Sequence, residues 1–299
     1  MATAAAPARR GWSRDTVETR VFGVLRVMMI LFLLVITVFP FYYMVLLSLR
    51  PLDRVLQDPG ALWLPPSEVE LGSYASVVAP PSAGGQGFLS FIANSALVAL
   101  GTVALTLLVA LPGAYAVSRL RFFGHRQVSV LFLAVYLFPP ILLAVPLFVF
   151  FTRIGLRGTL VGLLIVYISQ VVAVSIYMLR NYFDTVPVSL EEAAAIDGCS
   201  RLGVMRRVSL PLAMPAIIAN ALFIFMIAWN EFLFALLFLI EERDRWTVSL
   251  GLSQLAGSIE IPTTVLMAGS VIITIPIVVV FFASERLLTE GLTAGAEKG

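Results

Sequence analysis

The chain has 299 residues, of which 60% are hydrophobic and only 13% charged, and its mean hydropathy is +0.97. That lies far outside the range of soluble globular domains and reads as a polytopic membrane protein. The net charge of +2 excludes little, because in a membrane chain the placement of charges matters more than their sum.

Residues 1–20 read as a basic, disordered N-terminal tail. Six charge-poor segments follow, at 27–49, 90–118, 128–151, 159–179, 212–239 and 263–284, each matching the roughly 20 residues needed to cross a hydrocarbon core. The first has no cleavage site of the A-x-A kind and should remain as an anchor. Between it and the second span, Pro51, Pro65, Pro66, Pro80, Pro81 and the Gly84-Gly85 pair predict a long connection containing only short helices. In the third span, Pro139, Pro140 and Pro146 predict a kink that shapes a cavity. With both termini placed in the cytoplasm, fourteen Lys and Arg residues fall on that side and six on the other, and the positive-inside rule favours this orientation.

The polar interruption between the fourth and fifth spans stands out. Ser189 and Glu192 have capping-box spacing, Ala193, Ala194 and Ala195 favour helix, and Gly198 suits a left-handed helix end. A second short helix, from about Arg201 to Ser209, should be stopped by Pro211, which would also start the fifth span. The result is a cytoplasmic helix-Gly-helix elbow offering the Glu192 and Asp197 carboxylates to a partner's basic groups. On spacing alone it serves equally as an amphipathic surface helix.

Chemistry-bearing groups are few. Cys199 and His125, each the single residue of its type, exclude a disulfide framework and any metal site built from several Cys or His ligands, and both read as incidental. The single lysine, Lys298, is followed by Gly299, so this chain carries no phosphate-binding P-loop of its own. No nucleophile, base and orienting group converge, which argues against a membrane enzyme. An ion channel or proton-coupled carrier would place several ionisable residues inside its spans, and only Glu231 qualifies. By rise, Glu231 lies roughly 28 Å along the fifth span, near its outer end, where it bonds a neighbouring helix or lines the mouth of a cavity. Asn94, Ser169, Gln170, Asn220 and Asn230 are neutral polar groups able either to bridge helices or to bond a polar solute.

Glu192-Ala193-Ala194, followed by Asp197-Gly198 and Leu210-Pro211, resembles the signature of the membrane subunits of binding-protein-dependent ABC importers. The stretch Trp229 to Ala235 resembles the fifth-span motif of carbohydrate importers, and Gly291 to Ala296 with Lys298-Gly299 resembles their C-terminal ending. Together these resemble the second permease subunit of maltose, trehalose and glycerol-phosphate type importers, over nearly the whole chain and most firmly over 88–299. With nineteen Arg against one Lys, the sequence is most similar to actinobacterial disaccharide importers.

The resemblance implies an all-α, six-span permease of the type I ABC importer fold, multi-pass in the plasma or inner membrane and surrounded by lipid. Its parts would be the tail 1–20, a first span with its outer loop over 21–87, the transmembrane domain 88–286 with a coupling helix at 190–210, and a cytoplasmic tail 287–299. The implied partners are a homologous second permease, two copies of a cytoplasmic ATPase and an extracytoplasmic sugar-binding lipoprotein. No nucleic acid is expected. This chain would bind no cofactor, with ATP and Mg held by the ATPase subunits. Glu192, Ala193, Ala194, Asp197, Gly198, Leu210 and Pro211 would couple to the ATPase, and Thr293 and Gly295 in the tail would reach between its subunits. In the small, polar outer loop 253–261, Gln254, Gly257 and Ser258 would contact the binding protein. Asn94, Gln170, Asn220, Asn230 and Glu231 would lie along the substrate pathway. Inward transport of trehalose is the first expectation, with a maltose-type or glycerol-phosphate-type solute, or an ion-coupled secondary transporter, as alternatives.

Overall fold

The computed structural model describes residues 14–120 and 122–296. Among the described residues the regular structure is entirely helical. In chain order the α-helices are α1 (Arg14–Leu49), α2 (Leu52–Gln57), α3 (Gly72–Val78), α4 (Phe88–Arg119), α5 (His125–Leu137), α6 (Ala144–Arg153), α7 (Leu160–Phe183), α8 (Val188–Ile196), α9 (Arg201–Val204), α10 (Leu210–Leu212), α11 (Met214–Asn230), α12 (Leu233–Leu239), α13 (Val248–Gly257) and α14 (Thr263–Ala296). The expected N-terminal tail lies mostly outside the described residues, and α1 already begins at Arg14.

Four stretches are long and apolar enough to cross a membrane unbroken, within α1, α4, α7 and α14, and the count rises to six when each of two bent pairs is taken as one span. The first pair bends by 81° between Leu137 and Pro140, where Pro139-Pro140 cannot continue a helix. The second corrects the expected start of span five. The chain runs through Pro211 in α10 and turns by 76° at Ala213, with Pro215 in the first turn of α11. Span five then breaks again at Glu231 and Phe232, so the expected single helix 212–239 is α11 followed by α12.

Helices in lipid gain little from the hydrophobic effect against one another, so close packing must hold them. Accordingly α4 and α7 lie side by side with glycines at the seam. A Cβ at Gly101 would stand 2.6 Å from Leu164 Cδ1, and one at Gly113 would stand 3.3 Å from Ile176 Cδ1. Helix α11 packs against both and against α14. Two cores result. The larger, toward the end bearing the 51–87 connection, is built on Phe88, Phe91, Tyr167, Trp229, Phe234 and Phe238. The smaller, toward the 184–213 elbow, joins Ala110, Ala114, Ile176, Leu179 and Phe183 to Ala213.

The 51–87 connection holds only short helices, as its prolines predict. It is fastened to the end of α1 by side chains: the Tyr42 and Tyr43 hydroxyls donate to the Leu62 and Pro59 carbonyls, and Ser48 and Tyr74 share a hydrogen bond of 2.7 Å. The other connection departs from expectation. Instead of a small polar loop, residues 248–257 form α13, with Val248, Leu250, Gly251 and Leu255 buried against the larger core. Apolar positions spaced for one helical face are the cause.

At Gly251 the packing is tight: a Cβ there would lie 2.5 and 2.8 Å from the Cδ2 and Cε2 atoms of buried Phe91. An aromatic ring wedged in a core cannot swing away as an aliphatic tip can. Gly251→Ala is therefore expected to destabilise the purified protein by about 1–3 kcal/mol through overpacking, read as a lower thermal midpoint in detergent. Gly257→Ala, at a position with nothing within 4 Å of the new methyl, should leave the midpoint nearly unchanged.

Candidate functional site: a buried ion pair, an exposed elbow and a cavity

The elbow is built on Glu191, one position before the carboxylate that the sequence singles out. The expected capping box does not form. Pro187 precedes the first residue of α8 without a side-chain cap, so Ser189 lies inside the helix. With the helix starting two residues earlier than expected, Glu191 faces inward, where it is 8% exposed, and Glu192 and Asp197 lie in solvent. The end of α8 follows expectation. Gly198 has φ +84°, and the Cys199 and Gly198 N–H groups donate to the Ala194 and Ala195 carbonyls, closing the helix.

Glu191 gathers four segments. Arg119 Nε, in the last turn of α4, donates to both carboxylate oxygens at 3.1 and 3.0 Å. Arg119 Nη2 reaches the Val186 carbonyl at 2.8 Å in the turn after α7, and Nη1 reaches Ser118 Oγ at 3.1 Å. Ser209 Oγ, at the end of a π-helical turn over Met205–Ser209, donates to Glu191 Oε1 at 2.8 Å, and Tyr115 OH to Oε2 at 3.4 Å. A buried ion pair stabilises only when its remaining hydrogen-bond capacity is met, and here it is. The sequence gives no local sign that Glu191 rather than Glu192 turns inward. Arg119, closing a long apolar span, was the available signal.

Beyond this anchor the elbow is exposed. Ala193, Ala195, Ile196 and Leu202 reach solvent beside Glu192 and Asp197, and Ser200, Gly203, Arg206 and Arg207 line a groove of about 380 Å³. Leu210 and Pro211 form the short turn before the Ala213 bend.

The cavity opens on the flank of the bundle, with Tyr136, Leu137 and Phe138 of its rim exposed. It has a volume of about 810 Å³, in the upper range of ligand pockets, and is walled by the α5–α6 kink, α7, α11 and α12. Tyr136, Phe138, Phe223 and Phe234 give it aromatic faces, and Ser169 and Gln170 its polar side chains. Ser169 Oγ already donates to the Val166 carbonyl, whereas Gln170 Nε2 is buried without a hydrogen-bond partner.

Of the expected pathway residues only Gln170 lines this cavity. The others bond their own chain. Asn94 donates to the Asp244 and Trp246 carbonyls at 2.8 and 3.0 Å, pinning the connection ahead of α13. Fully buried Asn220 faces Met178 Sδ at 3.6 Å, and Asn230 donates to the Met226 carbonyl at 2.8 Å. Glu231 bonds Tyr167 and the start of α12. The asparagines thus spend donors on their own chain, while Asn220 Oδ1, like Gln170 Nε2, is buried without a hydrogen-bond partner. On α13, Gln254 and Ser258 border a small cleft of about 210 Å³ with Arg243 and Trp246, and Gly257 is exposed at the helix end. Thr293 and Gly295 lie in the last turns of α14. Among the described residues, no group of three His, Cys, Asp or Glu is placed to hold a metal ion.

Spanning helices around an open cavity, with a polar elbow projecting from one end, define a membrane permease subunit that contributes a pathway rather than a reaction. The chain belongs to the family of binding-protein-dependent transport system inner membrane components, whose profile matches residues 110–293. It is 36% identical over 268 residues to the trehalose/maltose transport system permease protein MalG of Thermococcus litoralis, covering 89% of this chain and 93% of that one. It is 35% identical over 266 residues to the inner membrane ABC transporter permease protein YcjP of Escherichia coli, covering 89% and 93%. It is 35% identical over 262 residues to the trehalose transport system permease protein SugB of Mycobacterium tuberculosis, covering 87% and 92%. A solved bacterial ABC transporter involved in the import of the acidic polysaccharide alginate shares the fold, with a TM-score of 0.76 and 24% identity over 92% of this chain and 98% of that one. This chain is thus a non-catalytic inner membrane permease of an ABC transporter, a class that works with a partner permease and an ATPase. The expectation of an ion-coupled carrier as an alternative falls with this membership.

Removing one partner of a buried ion pair leaves the other charge uncompensated. Glu191→Ala should therefore cost about 3–5 kcal/mol, seen as a drop in the thermal midpoint of the detergent-solubilised protein. Glu192→Ala, which removes an exposed side chain, should leave that midpoint within about 0.5 kcal/mol.

Proposed function

We propose that this chain forms, with a second permease, the pathway for inward transport of a neutral disaccharide, with trehalose the first candidate. The observation that carries the reading is the cavity. It joins aromatic faces suited to sugar rings with an unpartnered amide suited to a hydroxyl, and none of its lining residues is charged. A glycerol-phosphate substrate would bring a dianion into walls that offer it no cation, so the neutral sugar is favoured. The names of two relatives, a trehalose/maltose permease and a trehalose permease, support the same class.

In this reading the elbow docks into the ATPase. Exposed Glu192 and Asp197 pair with basic groups there, Ala193 and Ala194 allow close approach, Gly198 sets the bend, and Leu210-Pro211 joins the elbow to span five. The Lys and Arg distribution supports an elbow and both termini on the cytoplasmic side. The opposite end, with Gln254, Gly257 and Ser258 on and beside α13, then faces the extracytoplasmic sugar-binding lipoprotein. Thr293 and Gly295 near the C-terminus reach the ATPase pair, whose two subunits bind the ATP and Mg.

Two experiments test this. In the complex reconstituted with its binding protein, trehalose should stimulate ATP hydrolysis. Stimulation by glycerol phosphate and by no disaccharide would overturn the substrate reading. Gln170→Ala should weaken the sugar response by the worth of one hydrogen bond, about 0.5–1.5 kcal/mol. Glu192→Ala should lower transport and recovery of the ATPase with the permease at unchanged membrane levels, and wild-type values for both would remove the docking role.

A further inference from the structure

The break in span five raises a hydrogen-bonding problem. Glu231 is extended, at φ −64° and ψ 131°, and Phe232 sits at φ −123° and ψ −39°, so the first N–H groups of α12 have no carbonyls one turn earlier. In a bilayer such groups need a partner from the protein. Glu231 supplies it: Oε1 accepts from the Phe234 N–H at 2.8 Å, and Oε2 accepts from the Ala235 N–H at 3.2 Å and from Tyr167 OH at 2.5 Å. Both oxygens are engaged inside the chain.

This carboxylate therefore fixes three cavity walls at once. It ends α11, which contributes Phe223 and Ile227, it starts α12, which contributes Phe234, and through Tyr167 it ties both to α7, which contributes Gln170 less than one turn further on. Phe234 belongs to the cavity wall and to the larger core, so its place depends on where α12 begins. We infer that Glu231 is a positioning residue, a carboxylate cap that builds the broken fifth span and latches it to α7, acting on the transported solute only through Phe234 and Gln170.

The test uses the assembled complex of both permeases and the ATPase. Amide hydrogen exchange over residues 233–239 reads the cap with no substrate present, and ATPase stimulation by sugar-loaded binding protein reads the cavity. Only the second readout rests on the sugar reading, so a parent complex that no sugar stimulates would fail that reading while leaving the cap testable. Glu231→Leu should speed exchange in 233–239 on the order of tenfold or more, with exchange in α4 unchanged, and should weaken stimulation in parallel. Glu231→Gln, which retains an accepting oxygen, should recover most of both. Tyr167→Phe keeps the ring and removes one donor, and should raise the same exchange without unfolding the protein. Parent-level exchange in Glu231→Leu and Tyr167→Phe would overturn the cap, and lost stimulation alongside it would mean that Glu231 meets the solute directly.

Discussion

The architecture depends on one buried ion pair. Arg119 is the last residue of a 32-residue helix, and its guanidinium, with Tyr115 and Ser118 of the same helix bonding Glu191 and Asp184, grips the polar segment below. A lone charge at that depth would be costly. Paired with Glu191 and shared with Ser209, Tyr115 and the Val186 carbonyl, it converts four separate ends of chain into one rigid joint. Everything the elbow presents to solvent takes its direction from that joint. With Glu191 turned inward, Glu192 and Asp197 face outward by helix geometry alone.

The same economy of polar groups governs the opposite end. Ser95 accepts from the Val248 N–H, Ser249 donates to the Trp229 carbonyl, Trp229 Nε1 donates to the Ile273 carbonyl, and Asn94 holds the chain before α13. Each polar side chain repairs a place where the backbone leaves regular helix or where two helices must register. The cavity is left with aromatic and aliphatic walls and very few committed donors or acceptors. A hydrated solute in such a space meets weak contacts that are easily exchanged, which suits passage better than retention.

Hydropathy made the six spans legible, and proline chemistry made the third-span bend and the irregular 51–87 connection legible. Gly198 was readable because a left-handed residue must end a helix of that kind. Family membership was readable from the motif Glu192-Ala193-Ala194 with Gly198 and Leu210-Pro211. What escaped the sequence was the identity of partners distant along the chain. Nothing local distinguishes Glu191 from Glu192, since the choice depends on Arg119, 72 positions away, and on a helix start set by Pro187 rather than Ser189. The break at Glu231 was hidden by apolar residues on both sides, which keep hydropathy continuous across it. Asn94 and Asn220 looked available for a solute because the groups their amides donate to, the Asp244 and Trp246 carbonyls and Met178 Sδ, lie far away along the chain. By contrast α13 carried its own signal, buried positions at 248, 251 and 255, overshadowed by the small and polar residues between them.

The π-helical turn over Met205–Ser209 accommodates about one residue more than an α-helical turn would. Each residue in an α-helix advances the azimuth by about 100°. Losing one residue from this turn would swing the elbow by roughly that angle about the axis leading into span five. The side of the elbow now presented to solvent would turn away from its present direction, while the inward stripe of Asn220, Ile224, Phe225, Ala228 and Trp229 held its bearing. The surplus residue thus acts as a phase adjuster between two halves whose angular settings are fixed independently, one by the joint at Arg119 and the other by the core at Trp229. The constraint therefore falls on the length of the turn as well as on Ser209, which closes it against Glu191.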